Sequence, residues 1–291
     1  MLKAHEIQIR DPFVLPVAEE HRYYLFGTTD QNCWGPPATG FDCYVSSNLS
    51  DWEGPRPAFR PAAGFWADHN FWAPEVHRFQ GRYFMFASFK ADGRCRGTQI
   101  LASDVPAGPY RALSSAPVTP PEWECLDGTL FVDDAGLPWI VFAHEWVQVH
   151  DGEICALQLA PDFTRTTGKP HFLFRASEAP WVPRNPKGDY ITDGPFLHRT
   201  SGGELLMLWS STGPRGYAMG LARSIAGGIL CPWRQDPVPL YAEDGGHGML
   251  FRTLAGQLML TLHTPNRTPD ERPIFVPIEE TNEQLHITKG E

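Results

Sequence analysis

The chain has 291 residues, including 28 prolines and 27 glycines, and a formal net charge of −10. The scattered prolines exclude long helices, because a proline in a helix interior costs about 3 kcal/mol, and they favour many short strands joined by turns. The negative charge argues against nucleic acid and against an anionic membrane as a partner, so we expect a neutral ligand.

The cysteines and the start of the chain bear on the compartment. The six cysteines form no C-x-x-C pair, which argues against a zinc cluster and predicts free thiols in a reducing compartment. The sequence shows neither a basic segment followed by an apolar leader nor a run of about 18 apolar residues. We therefore predict a cytoplasmic protein without a membrane segment, unless a leader has been removed.

Five strand pairs follow one another along the chain. In each pair an acidic residue or a histidine begins a short apolar strand, a turn follows, and a more aromatic strand returns. The leading strands cover residues 11–15, 75–79, 127–132, 193–197 and 247–251. The return strands cover residues 23–27, 82–88, 138–143, 204–209 and 257–262. Repeats of about 50 to 60 residues with several strands per unit are typical of β-propellers. We therefore predict an all-β fold, a single five-bladed β-propeller domain with four-stranded antiparallel blades over residues 1–291.

The first residues of the leading strands are candidates for a common site. If they occupy the same place in each blade, they meet at one end of the central axis: Asp11, Glu75, Asp127, Asp193 and His247. Long irregular stretches near that end are expected to form the walls of a pocket, because loops of such length are usually functional. These stretches cover residues 28–41, 60–71, 114–125 and 177–190.

Antiparallel pairing brings further residues to this end, because the first residue of a strand lies beside the last residues of the strand that returns to it. Glu145 and Trp146 are expected beside Asp127, and residues 263–267 beside His247. Several tryptophans offer flat faces for the apolar side of a sugar ring, although each is also interpretable as core filler. They are Trp34, Trp66, Trp72, Trp146 and Trp181.

Short motifs at these places resemble those of glycoside hydrolase family 43. In family order they are Asp11-Pro12, Trp72-Ala73-Pro74-Glu75, Leu126-Asp127-Gly128, Asp193-Gly194-Pro195 and Gly246-His247-Gly248. The resemblance covers essentially the whole chain. It implies a five-bladed propeller that hydrolyses arabinofuranosides or xylosides with inversion of the anomeric configuration.

The resemblance implies catalytic roles for three aspartates. Asp11 matches the general base, and Asp127 matches the carboxylate that orients the acid and raises its pKa. Asp193 stands where the acid of the family is usually a glutamate, and an aspartate side chain is shorter by about 1.5 Å. Glu145 is the alternative acid, because strand pairing places it at the same end of the propeller.

The resemblance also implies substrate contacts, although some of these residues could instead have a purely structural role. The segment from His263 to Arg267 resembles an H-x-x-x-R segment that brings an arginine to the sugar. We also expect substrate contacts from Trp72, Glu75, Glu145, Trp146 and His247. In some members the histidine that matches His247 holds a calcium ion through water, so a calcium ion near His247 is one interpretation. We otherwise expect no required cofactor and no metal ligated directly by the protein.

The expected chemistry explains why carboxylates are needed. Inverting hydrolysis uses one carboxylate to activate water and one protonated acid for the leaving oxygen, about 6.5–9.5 Å apart. A third carboxylate beside the acid raises its pKa and keeps it protonated near neutral pH. Taken singly, an aspartate before Pro or Gly is more often a turn former. The five-fold recurrence and the family resemblance together favour catalysis.

The leading functional hypothesis is an inverting glycosidase that removes terminal α-L-arabinofuranosyl or β-D-xylosyl residues from plant-derived oligosaccharides. A non-catalytic carbohydrate-binding propeller is the main alternative, since propellers also serve as scaffolds for proteins that are not enzymes. A transglycosylase or a phosphorylase on the same fold is a third. A phosphorylase, however, requires more basic residues at the mouth than Arg267 and His247. The pattern gives no indication of the oligomeric state.

Overall fold

The computed structural model describes residues 1–31, 33–281 and 284–288 of the chain. Within these ranges the strands form five antiparallel sheets, one for each blade.

Blade one contains β1 (Leu2–Lys3), β2 (Arg10–Val17), β3 (Arg22–Thr28), β4 (Phe41–Ser46) and β5 (Asp51–Phe59). Blade two contains β6 (His69–Phe79), β7 (Arg82–Ala91), β8 (Arg94–Ser103) and β9 (Arg111–Ala112). Blade three contains β10 (Cys125–Val132), β11 (Pro138–His144), β12 (Glu153–Leu159) and β13 (Thr166–Arg175). Blade four contains β14 (Asp193–Arg199), β15 (Leu205–Gly213), β16 (Gly216–Ser224) and β17 (Trp233–Gln235). Blade five contains β18 (Gly246–Arg252), β19 (Leu258–Thr264), β20 (Arg272–Thr281) and β21 (Gln284–Ile287).

Helical structure is limited to single turns between strands. The α-helix α1 covers Trp146–Val149, and the 3₁₀ turns cover Ala4–Glu6, Ala18–Glu20 and Ala176–Glu178. In the part of the chain that the structure describes, no helix is long and apolar enough to cross a membrane.

The sheet topology confirms the predicted five-bladed all-β propeller. In four blades the strands pair in chain order, so the innermost strand comes first and the outermost strand last. Blade one carries one addition, because the short strand β1 pairs with the outer strand β5. The prediction of four strands per blade is therefore correct for four blades, and blade one has a fifth strand at its edge.

The inner strands consist largely of apolar residues, because each blade is covered on both faces by its neighbours. Every residue of β11 is buried. Aromatic side chains fill the space between blades, as where Phe84 meets Phe163 at 4.6 Å between ring centroids. Burying one such side chain contributes about 1.5–3 kcal/mol, so the aromatic packing between neighbouring blades stabilises the ring.

The ring closes where blade one meets blade five. The Ile9 amide donates to the Glu271 carbonyl at 3.3 Å, and the Leu254 amide donates to the Tyr23 hydroxyl at 2.8 Å. Arg10 and Glu271 form an ion pair at 2.8 Å across the same junction. This junction lies beside the central axis, so it also contributes residues to the candidate site.

Candidate active site

The innermost strand of every blade is interrupted by a β-bulge at the same place. Two residues fail to pair with the second strand, and the first of them has a positive φ. These pairs are Asp11-Pro12, Ala73-Pro74, Asp127-Gly128, Gly194-Pro195 and His247-Gly248. A proline has no amide to donate to the strand ladder, and a positive φ is uncommon for residues other than glycine. Bulges of this kind redirect a side chain next to a functional site.

The bulges place three of the predicted residues at equivalent points around the axis: Asp11, Asp127 and His247. In blade four the equivalent residue is Gly194, and Asp193 directly precedes it. The glycine is required there, because a Cβ at position 194 would lie 2.5 Å from Cδ2 of His247. The absence of a side chain lets the imidazole lie beside Asp193.

In blade two the equivalent residue is Ala73, which corrects our assignment of Glu75. Glu75 directly follows the bulge, two residues after Ala73, where the strand has resumed its pairing with Phe86. Its carboxylate contacts Nε2 of His77 at 3.0 Å, and its side chain does not line the pocket at the end of the axis. Glu75 is therefore not placed to bind substrate.

A ring of hydrogen bonds fixes the bulges. In four blades the amide of the bulge residue donates to a side chain on the second strand of the preceding blade. The pairs are Ala73 to Thr28 at 2.8 Å, Asp127 to Ser88 at 2.8 Å, His247 to Ser210 at 2.8 Å and Asp11 to His263 at 3.1 Å. Each bulge is thus held by its neighbouring blade as well as by its own.

Blade four departs from this ring in a way that positions Asp127. The residue on β11 that corresponds to the acceptors in the other blades is Ala143, the strand partner of Leu126, and it has no polar side chain. The Gly194 amide instead donates to Oδ2 of Asp127 at 3.0 Å. Asp127 is thereby tied to the residue that follows Asp193.

The predicted residues line a pocket of about 210 Å³ at this end of the axis. Seven of the predicted side chains line it: Asp11, Trp72, Asp127, Glu145, Trp146, Asp193 and His247. Asn266, from the segment 263–267 expected beside His247, lines it as well, and so do Arg10 and Tyr217, which no sequence motif indicated. Of the other tryptophans, Trp34 lines the pocket, whereas Trp66 and Trp181 do not.

Arg267 is not in the pocket, which corrects a second assignment. Its side chain is 75% exposed and pairs with Asp270 at 2.6 Å. The chain turns beyond the end of β19, so His263 and Asn266 face inward and Arg267 faces solvent. The arginine that lines the pocket is Arg10.

Asp11 is held ionised by the groups around it. Burial raises its pKa, but the nearby His247 outweighs this and lowers the pKa of Asp11 far below its ordinary value. Nδ1 of His247 lies 3.1 Å from Oδ1 of Asp11, and the Thr28 hydroxyl donates to Oδ2 at 2.7 Å. Burial lowers the pKa of His247, yet Asp11 and Asp127 raise it to about 10, so the imidazole is a cation at neutral pH.

Asp193 is held protonated. Burial and then the charge of Asp127 raise the pKa of Asp193 to about 8. The pKa of Asp127 is also raised, mainly by burial, but Asp127 accepts the Gly194 amide. An accepted amide stabilises the charged form, so Asp127 ionises first and Asp193 keeps its proton. The Tyr217 hydroxyl contacts Oδ2 of Asp193 at 2.9 Å.

Glu145 lines the pocket in a different environment. Its Oε2 accepts from Nε of Arg96 at 3.1 Å, and both side chains are nearly buried. The Arg96 guanidinium lies 3.9 Å from the ring centroid of Trp72. Burial raises the pKa of Glu145, whereas Arg96 lowers it. Glu145 and Trp72 thus form a rigid wall of the pocket.

The pocket is also where the resemblance suggests a calcium ion, near His247. Among the described residues, no three His, Cys, Asp or Glu side chains are grouped so that they can hold a metal ion. Nδ1 of His247 also faces Asp11 and Asp127. A calcium ion held near His247 through water stays a prediction.

Replacing Thr28 with Val is expected to weaken both the fold and the site. The Thr28 hydroxyl accepts the Ala73 amide and donates to Asp11, so its loss leaves a buried amide unpaired, at a cost of about 1–3 kcal/mol. It also raises the pKa of Asp11, so the acidic limb of the activity profile moves to higher pH. Urea denaturation and the pH dependence of kcat/KM measure the two effects. Thr167→Val, on the outer strand β13, is the matched control, and equal behaviour of the two variants would contradict this role.

Comparison with known proteins identifies the family. The model of glycosyl hydrolases family 43 matches residues 5–288. The chain belongs to glycoside hydrolase family 43. A solved structure titled endo-arabinase, from Bacteroides thetaiotaomicron, is 40% identical, with a TM-score of 0.90 over 97% of this chain and 98% of that one. A structure titled endo-1,4-beta-xylanase from the same species is 21% identical, with a TM-score of 0.81 over 99% of this chain and 96% of that one, and shares the fold.

The curated relatives of this family 43 enzyme are named for arabinose chemistry. An extracellular exo-alpha-(1->5)-L-arabinofuranosidase from Cellvibrio japonicus is 24% identical over 72% of this chain and 60% of its own length. An alpha-L-arabinofuranosidase from Humicola insolens is 23% identical over 60% of this chain and 36% of its own length. The chain therefore matches 60% of the length of the first relative and 36% of the second, less than two thirds in each case.

These names overturn our prediction of a cytoplasmic location, because the Cellvibrio japonicus relative is an extracellular enzyme by name. The prediction depended on unpaired cysteines and on the missing leader pattern. Neither feature determines the compartment in which a protein works. The prediction of a cytoplasmic location is therefore wrong.

Proposed function

We propose that the propeller over residues 1–291 hydrolyses terminal α-L-arabinofuranosyl linkages of neutral, plant-derived oligosaccharides, with inversion. The observation that carries the proposal is that one pocket brings together two carboxyl groups whose pKa values are shifted in opposite directions. Asp11 is ionised beside the His247 cation, and Asp193 keeps its proton beside Asp127. An inverting glycosidase requires this combination of a base and an acid.

Each group then has one role in the reaction. Asp11 takes a proton from a water molecule, and the water oxygen forms a bond to the anomeric carbon. The bond to the leaving oxygen breaks on the opposite face, and Asp193 gives that oxygen its proton. Asp127 keeps Asp193 protonated before the reaction, and Tyr217 holds one oxygen of Asp193 in place.

The relatives support an arabinose-containing substrate. The Cellvibrio japonicus relative is named an exo-acting arabinofuranosidase, which supports cleavage of a terminal unit, whereas the solved structure that is 40% identical is titled endo-arabinase. The two curated relatives are named arabinofuranosidases, which favours arabinose over xylose.

Charge in the pocket favours water over phosphate as the acceptor. Among the residues that the structure describes, the cationic side chains that line it are Arg10 and His247. Arg10 pairs with Glu271, and His247 pairs with Asp11. Because both charges are already balanced, an incoming phosphate gains little, and hydrolysis is favoured over a phosphorylase reaction.

Turnover of synthetic glycosides tests the proposal. Nitrophenyl α-L-arabinofuranoside, β-D-xylopyranoside and β-D-galactopyranoside are incubated with the enzyme, and arabino-oligosaccharides are followed by chromatography. We expect release of nitrophenol from the arabinofuranoside and release of single arabinose units from the oligosaccharides. Preference for the xyloside, or release of short oligosaccharides, would reject the proposed sugar or the terminal mode of cleavage. Binding without turnover would favour the non-catalytic alternative.

Removal of divalent metal is expected to leave activity unchanged. The proposed base and acid are side chains of the protein, and His247⁺ already supplies positive charge beside Asp11. Dialysis against EDTA followed by assay of kcat measures this, with an untreated sample as the control. A loss that added calcium restores would instead support an ion held through water near His247.

A further inference from the structure

We infer that Arg10 binds the hydroxyl groups of the sugar and provides the contact that the sequence led us to expect from Arg267. The inference rests on the proposed function, because it assigns a specificity-determining residue to the same pocket. The two arginines lie in different blades. Arg10 is in β2, directly before the catalytic candidate Asp11, and Arg267 follows the end of β19.

The position of Arg10 is set by the bulge. Arg10 is the first residue of β2, and it pairs with Thr28 directly before the bulge begins at Asp11. Its side chain is 13% exposed and lines the pocket. The Arg10 side chain is therefore nearly buried and lies at the edge of the bulge. Because Asp11 is the next residue, a sugar whose anomeric carbon faces Asp11 also lies near Arg10.

Three neighbours fix the guanidinium in one orientation. Nη1 donates to Oε1 of Glu271 at 2.8 Å, and Nη2 donates to Oδ1 of Asn266 at 2.7 Å. The Trp34 ring covers it, with 5.0 Å between Cζ and the ring centroid. Nε1 of that tryptophan donates to the Thr268 hydroxyl at 3.0 Å, which ties the ring to blade five.

This fixed orientation leaves donors for a ligand. A guanidinium has five N–H donors, and Glu271 and Asn266 account for two of them among the described residues. The remaining N–H donors of Arg10 can bind a ligand without a further loss of conformational freedom in the Arg10 side chain. Hydrogen bonds from a charged donor are roughly twice as strong as neutral ones, so preorganised donors of this kind discriminate strongly between sugars.

The charge balance indicates a neutral ligand. The Glu271 side chain is fully buried, and the ionised Asp11 is the adjacent residue. The positive charge of Arg10 is therefore compensated within the protein. What the guanidinium offers is directed hydrogen bonding to oxygen atoms, which suits sugar hydroxyls rather than a phosphate or a carboxylate.

Arg267 provides a matched comparison. It belongs to the segment that suggested a sugar contact, but its side chain is 75% exposed and its partner is Asp270. An exposed ion pair contributes about 0–1 kcal/mol. The same substitution at the two arginines therefore separates an effect on the pocket from a general effect of replacing an arginine by a lysine.

The experiment compares Arg10→Lys with Arg267→Lys on nitrophenyl α-L-arabinofuranoside. Lysine keeps the charge next to Glu271 but lacks the planar fork. We expect kcat/KM of Arg10→Lys to fall about 10- to 100-fold, and that of Arg267→Lys to change by less than about twofold. Thermal denaturation of both variants shows whether the fold is retained.

Substrates that lack one hydroxyl identify the contact. Nitrophenyl arabinofuranosides without the 2-, 3- or 5-hydroxyl are assayed with the wild type and with Arg10→Lys. If Arg10 binds one of these hydroxyls, its removal lowers kcat/KM of the wild type strongly and that of the variant only weakly. A loss in Arg10→Lys that is equal for every substrate would indicate a structural role and would overturn the inference.

The remaining outcomes are also decisive. If the wild type cleaves the arabinofuranoside and Arg10→Lys matches it within about twofold, the inference fails while the proposed function stands. If Arg267→Lys loses as much as Arg10→Lys, the assignment of Arg10 is wrong. If the wild type cleaves none of the glycosides, the proposed function fails first and the inference fails with it.

Discussion

Replacing Asp11 with Asn is expected to lower kcat by about 10²- to 10⁴-fold, the range over which general base catalysis contributes. Asn keeps the size of the side chain and can still accept from the Thr28 hydroxyl, but it cannot take a proton from water. KM should change little, because the substitution removes a reacting group rather than a binding surface. Steady-state kinetics on an arabinofuranoside measures both constants.

The control for this variant is a surface aspartate. Asp104 is 85% exposed at its side chain and pairs only with Arg82, so Asp104→Asn should behave as the wild type. If Asp11→Asn retained more than about a tenth of the wild-type kcat, Asp11 would not be the base. Its low pKa would then reflect only the ion pair with His247.

Replacing Asp193 with Asn is expected to abolish cleavage of substrates with poor leaving groups and to spare activated ones. An alkoxide leaving group requires a proton, so the loss should approach about 10²- to 10⁴-fold with oligosaccharides. A dinitrophenolate leaves without a proton, so that substrate should still be cleaved. Kinetics on the two substrates measures the difference. Glu145→Gln is the matched comparison, because Glu145 is the alternative acid and lines the same pocket.

The pH profile provides a second readout for Asp193. Since the pKa of Asp193 is raised to about 8, the acid stays protonated up to that pH and kcat/KM of the wild type should fall above it. The variant has no such group, so this alkaline limb should disappear. If the limb persists in Asp193→Asn and disappears in Glu145→Gln, the acid is Glu145.

Loss of activity in Asp193→Asn should not arise from unfolding. A buried carboxyl whose pKa is raised by folding costs stability above its unfolded pKa, and the cost grows until the pH reaches the folded pKa. For Asp193 this window runs from about pH 4 to about pH 8. The variant should therefore melt at or above the wild-type temperature near pH 8, with a smaller difference near pH 4.

Much of the fold could be predicted from the sequence because the repeat is local. Each blade contributes a leading strand and an aromatic return strand, and the apolar content of both reflects burial between neighbours. Asp11, Asp127 and His247 could be selected for the same reason, since each precedes a Pro or Gly that forms the bulge.

The error at Glu75 shows which signal was overlooked. The bulge is marked by the residue before Pro or Gly, and in blade two that residue is Ala73. The acidic side chain of Glu75, two residues after Ala73, does not mark the bulge. The same rule places Gly194, rather than Asp193, at the equivalent point of blade four.

The residues that were missed depend on packing between blades that are distant in sequence. Tyr217 reaches Asp193 from the third strand of its blade, where no motif marks it. Arg10 is fixed by Glu271 and Asn266 across the closing junction of the ring. Arg267 matched a motif but lies beyond the turn that follows β19. Only the three-dimensional arrangement shows which arginine faces the pocket.

The stereochemistry of the first product tests the proposed mechanism most directly. Proton NMR, recorded within the first turnovers of an α-L-arabinofuranoside, distinguishes the two anomers before they equilibrate. If Asp11 delivers water to the face opposite the proton donor Asp193, the first product is the β-anomer. Initial release of the α-anomer would show that configuration is retained, and it would contradict the catalytic roles of both aspartates.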